Sequence, residues 1–244
     1  MRMYVEKGKS ELSKKAAQII IDAVKSNPFM NFGLATGQTP IETYQRLIED
    51  HQQNHTSYSD IQTFNLDEYV GLTRQDPNSY HSYMKQNLFQ YINIKEENAH
   101  IPNGLVSDTT EECNRYEDLI KQSGGIDLQI LGIGQNGHIG FNEPNTPFSS
   151  RTHIVNLAES TRLANSQYFT KLEDVPKQAI TMGIQTIMEA KSILLLVSGQ
   201  KKAEALNELL HGNIREEVPA TVLRNHRSLT IIADEEALLM FEKC

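Results

Sequence analysis

Gly132-Ile133-Gly134-Gln135-Asn136-Gly137-His138-Ile139-Gly140-Phe141-Asn142-Glu143-Pro144 is the stretch from which the fold of this chain is read. It follows an apolar segment, residues 126–131, with the alternation of a β-strand. Four glycines within nine residues let the backbone turn tightly and approach a ligand closely. The same loop carries an imidazole, amides and a carboxylate. A strand ending in such a turn is where an open α/β sheet binds and converts small molecules.

Gly132-x-Gly134-x-x-Gly137 also matches the spacing of a dinucleotide-binding turn, with Glu159 as the downstream acid. That turn needs a helix to begin inside it, and Pro144 and Pro147 follow too closely to allow one. A proton shuttle suits the loop better, because Glu143 can fix the tautomer of His138 and raise its basicity. No other His or Cys stands at ligand spacing near His138, so no metal is expected.

Working outward, strand and helix patterns alternate. Helical spacing covers residues 10–25, 79–91, 109–122, 178–190 and 201–210. Strands are predicted at residues 31–35, 61–66, 126–131, 152–157, 192–198 and 229–233, with Asp234 capping a last helix. Thr39-Pro40-Ile41-Glu42 reads as a helix start with a Thr cap and Pro at the first helical position. The polar residues 51–59 read as a surface loop. The pattern predicts a single α/β domain over residues 1–244, a Rossmann-like open sheet, mostly parallel, with helices on both faces.

The 244 residues are 39% hydrophobic and 22% charged, which suits one globular unit with a sizeable core. A net charge of -8 argues against nucleic acid as a partner. Cys113 and Cys244 form no CxxC pair and no disulfide framework, which fits a reducing cytoplasm. The first residues lack the apolar stretch of a signal peptide, and no apolar run is long enough to span a membrane.

Three further turns carry candidate chemistry. Ala35-Thr36-Gly37-Gln38-Thr39-Pro40 joins a strand to a helix, and such a turn offers free N–H groups to an anion. It is either an anion site or an ordinary turn whose Thr39 caps the helix. Ser198-Gly199-Gln200-Lys201 repeats the arrangement. There Lys201 at a helix start is either solvated or offset by a bound anion, and the two turns could face one phosphate. Phe64-Asn65-Leu66-Asp67-Glu68-Tyr69 runs a strand into paired acids, of which one could serve as a base and burial would raise its pKa. Alternatively, one acid caps a turn and the other is solvated.

Leu34 to Pro40, Phe64-Asn65-Leu66-Asp67-Glu68-Tyr69-Val70-Gly71-Leu72 and Gly132 to Pro144, in this order, resemble the glucosamine-6-phosphate deaminase (glucosamine-6-phosphate isomerase) family. Ser79-Tyr80-His81 and Ser150-Arg151-Thr152 extend the resemblance over nearly the whole chain. It implies conversion of glucosamine 6-phosphate and water to fructose 6-phosphate and ammonia, without metal or organic cofactor. It implies that His138, supported by Glu143 and Asn136, opens the sugar ring, and that Asp67 moves a proton from C2 to C1. Thr36, Gly37, Gln38 and Thr39 would hold the phosphate, with Lys201 opposite. Residues 158–176 resemble the family's mobile lid.

Asn136 stands where many members have Asp, so Glu143 would have to orient and polarise His138. His153 and Val155 stand where hexameric, allosterically activated members have basic residues, and Gln167 stands near a basic phosphate contact of some members. With a short C-terminus, these departures point to a monomer or small homo-oligomer without allosteric activation. Two other readings share the fold: a 6-phosphogluconolactonase, which needs no base over C2, and a non-catalytic sugar-phosphate-binding module. Asp67-Glu68-Tyr69-Val70-Gly71-Leu72, and Asp67 with His138 and Glu143, favour the deaminase over both.

Overall fold

The computed structural model describes residues 1–166 and 169–239, apart from the side chains of residues 160 and 164. Seven strands lie side by side: β1 (Arg2–Glu6), β2 (Asn31–Leu34), β3 (Gln62–Asn65), β5 (Ala99–His100), β6 (Leu128–Gly132), β9 (Ser192–Val197) and β10 (Leu229–Asp234). Their order is β1-β10-β9-β6-β2-β3-β5, and every pairing is parallel. In β9, Ile193, Leu194, Leu195, Leu196 and Val197 point alternately to opposite faces, yet all are buried. Helices therefore cover both faces, which is why the parallel strands are apolar throughout. The helix α1 (Lys9–Ser26) illustrates the packing: Leu12, Ala16, Ile20 and Val24 make its buried stripe against β9, β10 and α2 (Ile41–Asn54).

From β2 the chain builds outward through β3 to β5, whereas β6, β9 and β10 extend the other way. The order reverses between β2 and β6, and the crevice beyond the carboxyl ends of those two strands is where such sheets bind ligands. The turns after β2 and β6 flank that crevice.

A second, antiparallel sheet of β4 (Asp67–Tyr69), β8 (Gln178–Thr181) and β7 (His153–Asn156) brings Asp67 to that crevice. Thr181 pairs with Asp67 on one side and His153 on the other. Here the structure corrects the sequence reading. Residues 178–190 are not one helix but β8 followed by the short α6 (Ile184–Met188). Ala179, Ile180 and Thr181 are fully buried between two strands, so tertiary pairing overrides local helical spacing. Gly183 precedes α6, and a Cβ there would lie 2.2 Å from the carbonyls of Ser150 and Arg151.

Other boundaries also move. Thr39 does not cap α2, whose preceding residue is Pro40, and no side chain caps that end. Residues 51–59 are not simply a loop: α2 continues to Asn54 and Tyr58 is buried. The helix predicted over 79–91 is α3 (Tyr80–Asn87), capped by Ser79, with a separate 3-10 turn at Phe89–Tyr91. α4 (Thr109–Gln122) falls where the spacing places it. A 3-10 turn at Gln200–Lys202 precedes α7 (Ala203–His211). Asp234 does cap the next turn, accepting from the Ala237 N–H at 2.9 Å. Among the described residues, no helix is long and apolar enough to cross a membrane. Gln167 and Cys244 lie outside the described residues.

Candidate active site

The crevice between β2 and β6 holds a cavity of about 420 Å³. Its walls are residues 35–39 after β2, Leu66 and Asp67 after β3, and much of the 132–141 loop after β6. Tyr80, Thr161, Asn165 and Lys202 close it.

The turn after β2 is held from outside by its carbonyl groups. The buried Tyr44 hydroxyl donates to the Ala35 carbonyl at 2.6 Å, Tyr83 donates to the Gly37 carbonyl at 2.5 Å, and Lys9 Nζ donates to the Gln38 carbonyl at 3.0 Å. The N–H groups of Thr36, Gly37 and Thr39 have no hydrogen-bond partner among the described residues. Gly37 adopts φ 87°, the left-handed region that an L side chain rarely occupies. Pinned carbonyls, uncommitted amides and the positive end of α2 together suit a phosphate.

Asp67 and Glu68 divide into two roles. Glu68 accepts the N–H of Tyr69, Tyr80 and His81 at 2.8, 2.9 and 3.1 Å, and His81 Nδ1 lies 3.0 Å away. It therefore holds the first turn of α3 and brings Tyr80 over the cavity. Asp67 is buried at the cavity wall and accepts no hydrogen bond from the described residues. Burial, reinforced by the neighbouring Glu68 charge, pushes its pKa up to about 8.

The loop after β6 folds back on itself. Gly134 lies directly against the His138 ring, where a Cβ would come within 2.2 Å of Nδ1, so only glycine fits. Asn136 Oδ1 accepts from the His138 backbone N–H at 3.2 Å and stands 2.7 Å from His138 Nδ1. Asn136 Nδ2 donates to Glu143 Oε2 at 2.8 Å. The backbone N–H and the carboxylate together set which way the amide faces, so Nδ1 must carry the proton and Nε2 the lone pair. Glu143 Oε2 is 3.7 Å from Nδ1: it acts from behind Asn136, where the sequence reading had it orient the ring directly. Burial lowers the His138 pKa; Glu143 opposes that shift and Lys202 adds to it. Burial therefore favours the neutral ring.

The turn after β9 differs from the sequence reading. Lys201 is exposed and does not line the cavity, whereas the half-buried Lys202 does. Burial, with a smaller effect from Lys201, lowers the Lys202 pKa. Nor is the turn free for an anion: Asp234 accepts the Gly199 N–H at 3.0 Å and the Ser198 hydroxyl at 2.5 Å. The two turns thus contribute differently, backbone amides from one and a single ammonium from the other.

Helix α5 (Glu159–Asn165) places Thr161 and Asn165 in the cavity wall, and the Thr161 hydroxyl donates to Glu143 Oε1. Val155 packs in a small apolar cluster with Tyr69, Phe141 and Leu157, and His153 Nδ1 is 2.8 Å from the Arg151 carbonyl. Tyr80, Thr161, Asn165 and Lys202 were not singled out in the sequence, although Tyr80 lies in the Ser79-Tyr80-His81 match and Lys202 is one residue from the lysine that was.

An amide-lined turn, a buried carboxylic acid and an imidazole gathered at the switch point of a parallel sheet mark a candidate small-molecule site of the α/β class. Residues 6–232 match the family model for glucosamine-6-phosphate isomerases/6-phosphogluconolactonase, and the chain belongs to that family. It is 57% identical to a glucosamine-6-phosphate deaminase of Halalkalibacterium halodurans, over 98% of this chain and 97% of that one. It is 54% identical to glucosamine-6-phosphate deaminase 1 of Bacillus subtilis, over 93% of this chain and 94% of that one. A solved structure described as a monomeric glucosamine-6-phosphate deaminase superimposes with a TM-score of 0.97 at 51% identity, covering 98% of this chain and 100% of that one. A 6-phosphogluconolactonase from Trypanosoma brucei shares the fold, with a TM-score of 0.78 at 18% identity over 98% of each chain.

Proposed function

We propose that this chain is a glucosamine-6-phosphate deaminase: it converts glucosamine 6-phosphate and water to fructose 6-phosphate and ammonia. The observation that carries this is the presence, in the lining of one cavity, of a buried acid free of hydrogen bonds (Asp67) and an imidazole held in one tautomer (His138). Ring opening of an aldose and a C2-to-C1 proton shift need those two groups in one place.

The phosphate sits on the amides and hydroxyls of Thr36, Gly37, Gln38 and Thr39. We assign the opposing charge to Lys202 rather than Lys201, because Lys202 reaches the cavity. The Nε2 lone pair of His138 takes the O1 proton of the closed sugar and delivers a proton to O5, which opens the ring. Asn136 fixes the tautomer for this step, and Glu143 stabilises the imidazolium that forms. Asp67, once ionised, breaks the C2–H bond, and the resulting enolamine is protonated at C1. The C2 imine that remains is hydrolysed, so water supplies the ketone oxygen and nitrogen leaves as ammonia. The net reaction combines an aldose–ketose isomerisation with a hydrolysis.

We assign the lid to residues 158–176, of which 167 and 168 lie outside the described residues, with α5 as the part facing the substrate. The enzyme works in the cytoplasm as a monomer or small homo-oligomer in amino-sugar catabolism, including use of N-acetylglucosamine. It needs neither metal nor organic cofactor, and neither nucleic acid nor membrane is a partner. The test is release of ammonia and fructose 6-phosphate from glucosamine 6-phosphate by the purified chain with a chelator present. Equal amounts of both support the assignment. No product, with 6-phosphogluconolactone hydrolysed instead, would overturn it, and so would tight sugar-phosphate binding without turnover.

A further inference from the structure

Building on that assignment, we infer that Thr161, on α5, is a positioning residue for proton transfer at His138 and acts through Glu143 and Asn136. Four groups form one directed chain. The Thr161 hydroxyl donates to Glu143 Oε1, and Glu143 Oε2 accepts from Asn136 Nδ2 at 2.8 Å. Asn136 Oδ1 in turn accepts from His138 Nδ1 at 2.7 Å.

The direction matters because residue 136 is an amide. A carboxylate there would accept from Nδ1 with either oxygen. An amide has an accepting end and a donating end, and if it turned over, its NH2 would face Nδ1. The ring proton would then move to Nε2, and the lone pair that opens the sugar would be lost. The His138 backbone N–H holds the accepting end and Glu143 the donating end, because a carboxylate only accepts, and Glu143 can do so only while Oε2 faces Asn136. The Thr161 hydroxyl, on a residue only 9% exposed, holds the other oxygen. Since α5 also walls the cavity, the helix that shapes the substrate space sets the imidazole as well.

Thr161→Val keeps the shape and removes the hydroxyl. In that variant kcat falls about tenfold, a fraction of the ~10²–10⁴ that a general acid–base group contributes, while KM stays roughly unchanged. Nitrogen-15 NMR of the ligand-free protein shows a new Nε2–H population of His138, and Thr161→Ser restores both the tautomer and the rate. In an Asn136→Asp background, Thr161→Val leaves the tautomer as it was, since a carboxylate has no wrong end. If Thr161→Val does not fold, Thr161→Ala is read in its place with the same expectations. A native tautomer in the folded variant, whatever its rate, would overturn the inference, as would a rise in KM with unchanged kcat. The NMR readout needs no substrate, so it stands apart from the product assay on which the activity itself depends.

Discussion

Asp67 and Glu68 are consecutive, yet the Glu68 carboxylate collects the N–H groups of Tyr69, Tyr80 and His81, while no described residue donates to Asp67. Two adjacent acids thereby acquire opposite properties. One spends its charge on the start of α3; the other is left buried and reactive, with the first charge beside it. Asp67→Asn removes the proposed acceptor for the C2 proton without changing the shape of the wall. Turnover should fall by at least ~10²-fold, with substrate affinity measured by calorimetry nearly unchanged. Retention of most of the activity would reassign the base.

The same raised pKa predicts the pH profile. As the proposed base, Asp67 must be ionised to take a proton, and burial pushes its pKa up to about 8. The kcat/KM should therefore climb as pH rises through about 8. In Asp67→Asn, whatever residual rate remains should lose that limb.

Stability should move the other way. The Asp67 pKa is about 8 folded against 3.8 in its ordinary state, so between those values the folded protein holds a proton that the unfolded chain has released. Unfolding free energy contributed by this group falls as pH rises across that window, by on the order of 5 kcal/mol in full. Asp67→Asn has no such dependence, so its stability gain over the wild type in urea titrations should be larger at pH 8 than at pH 5. An equal gain at both would mean that Asp67 is not held protonated.

Lys202→Ala removes an ammonium at the cavity and, if it holds the phosphate as proposed, should raise KM with little change in kcat, because such a contact is made alike in ground and transition states. Lys201→Ala, at an exposed position, should behave as wild type. The reverse pattern in steady-state kinetics would restore the phosphate contact to Lys201.

Tyr83→Phe releases the Gly37 carbonyl and lets the peptide reorient, so the N–H groups are no longer presented together. Loss of one such hydrogen bond is worth about 1 kcal/mol, or about fivefold in KM. Competitive inhibition by inorganic phosphate should weaken in parallel.

Where local pattern and tertiary environment agree, the sequence is enough. The strand at 192–197 and the helix at 109–122 are legible because their apolar residues repeat at the period the structure uses. Residues 178–190 fail for the opposite reason: Ile180 and Thr181 are claimed by β4 and β7, pairings that no local window contains. The choice between Lys201 and Lys202 hangs on one extra turn of 3-10 helix before α7, which rotates the neighbouring side chains. The turn after β9 looks like an anion site in sequence because its ligand is internal: Asp234, 35 residues from Gly199, already fills it. Thr161 is invisible beforehand because its meaning lies in Glu143, eighteen positions away in the chain.

The adjacency of β2 and β6 also works as a ruler. The proposed seat for the phosphate hangs from one strand and the imidazole from the next, and neighbouring strands in a sheet keep a spacing of about 4.8 Å. Neither post can slide without breaking the sheet. A molecule tethered by its phosphate therefore presents only the carbons at one fixed remove to His138 and Asp67. Shorter or longer homologues would be gripped equally well and left unreacted, so selectivity for chain length should surface in kcat and not in binding.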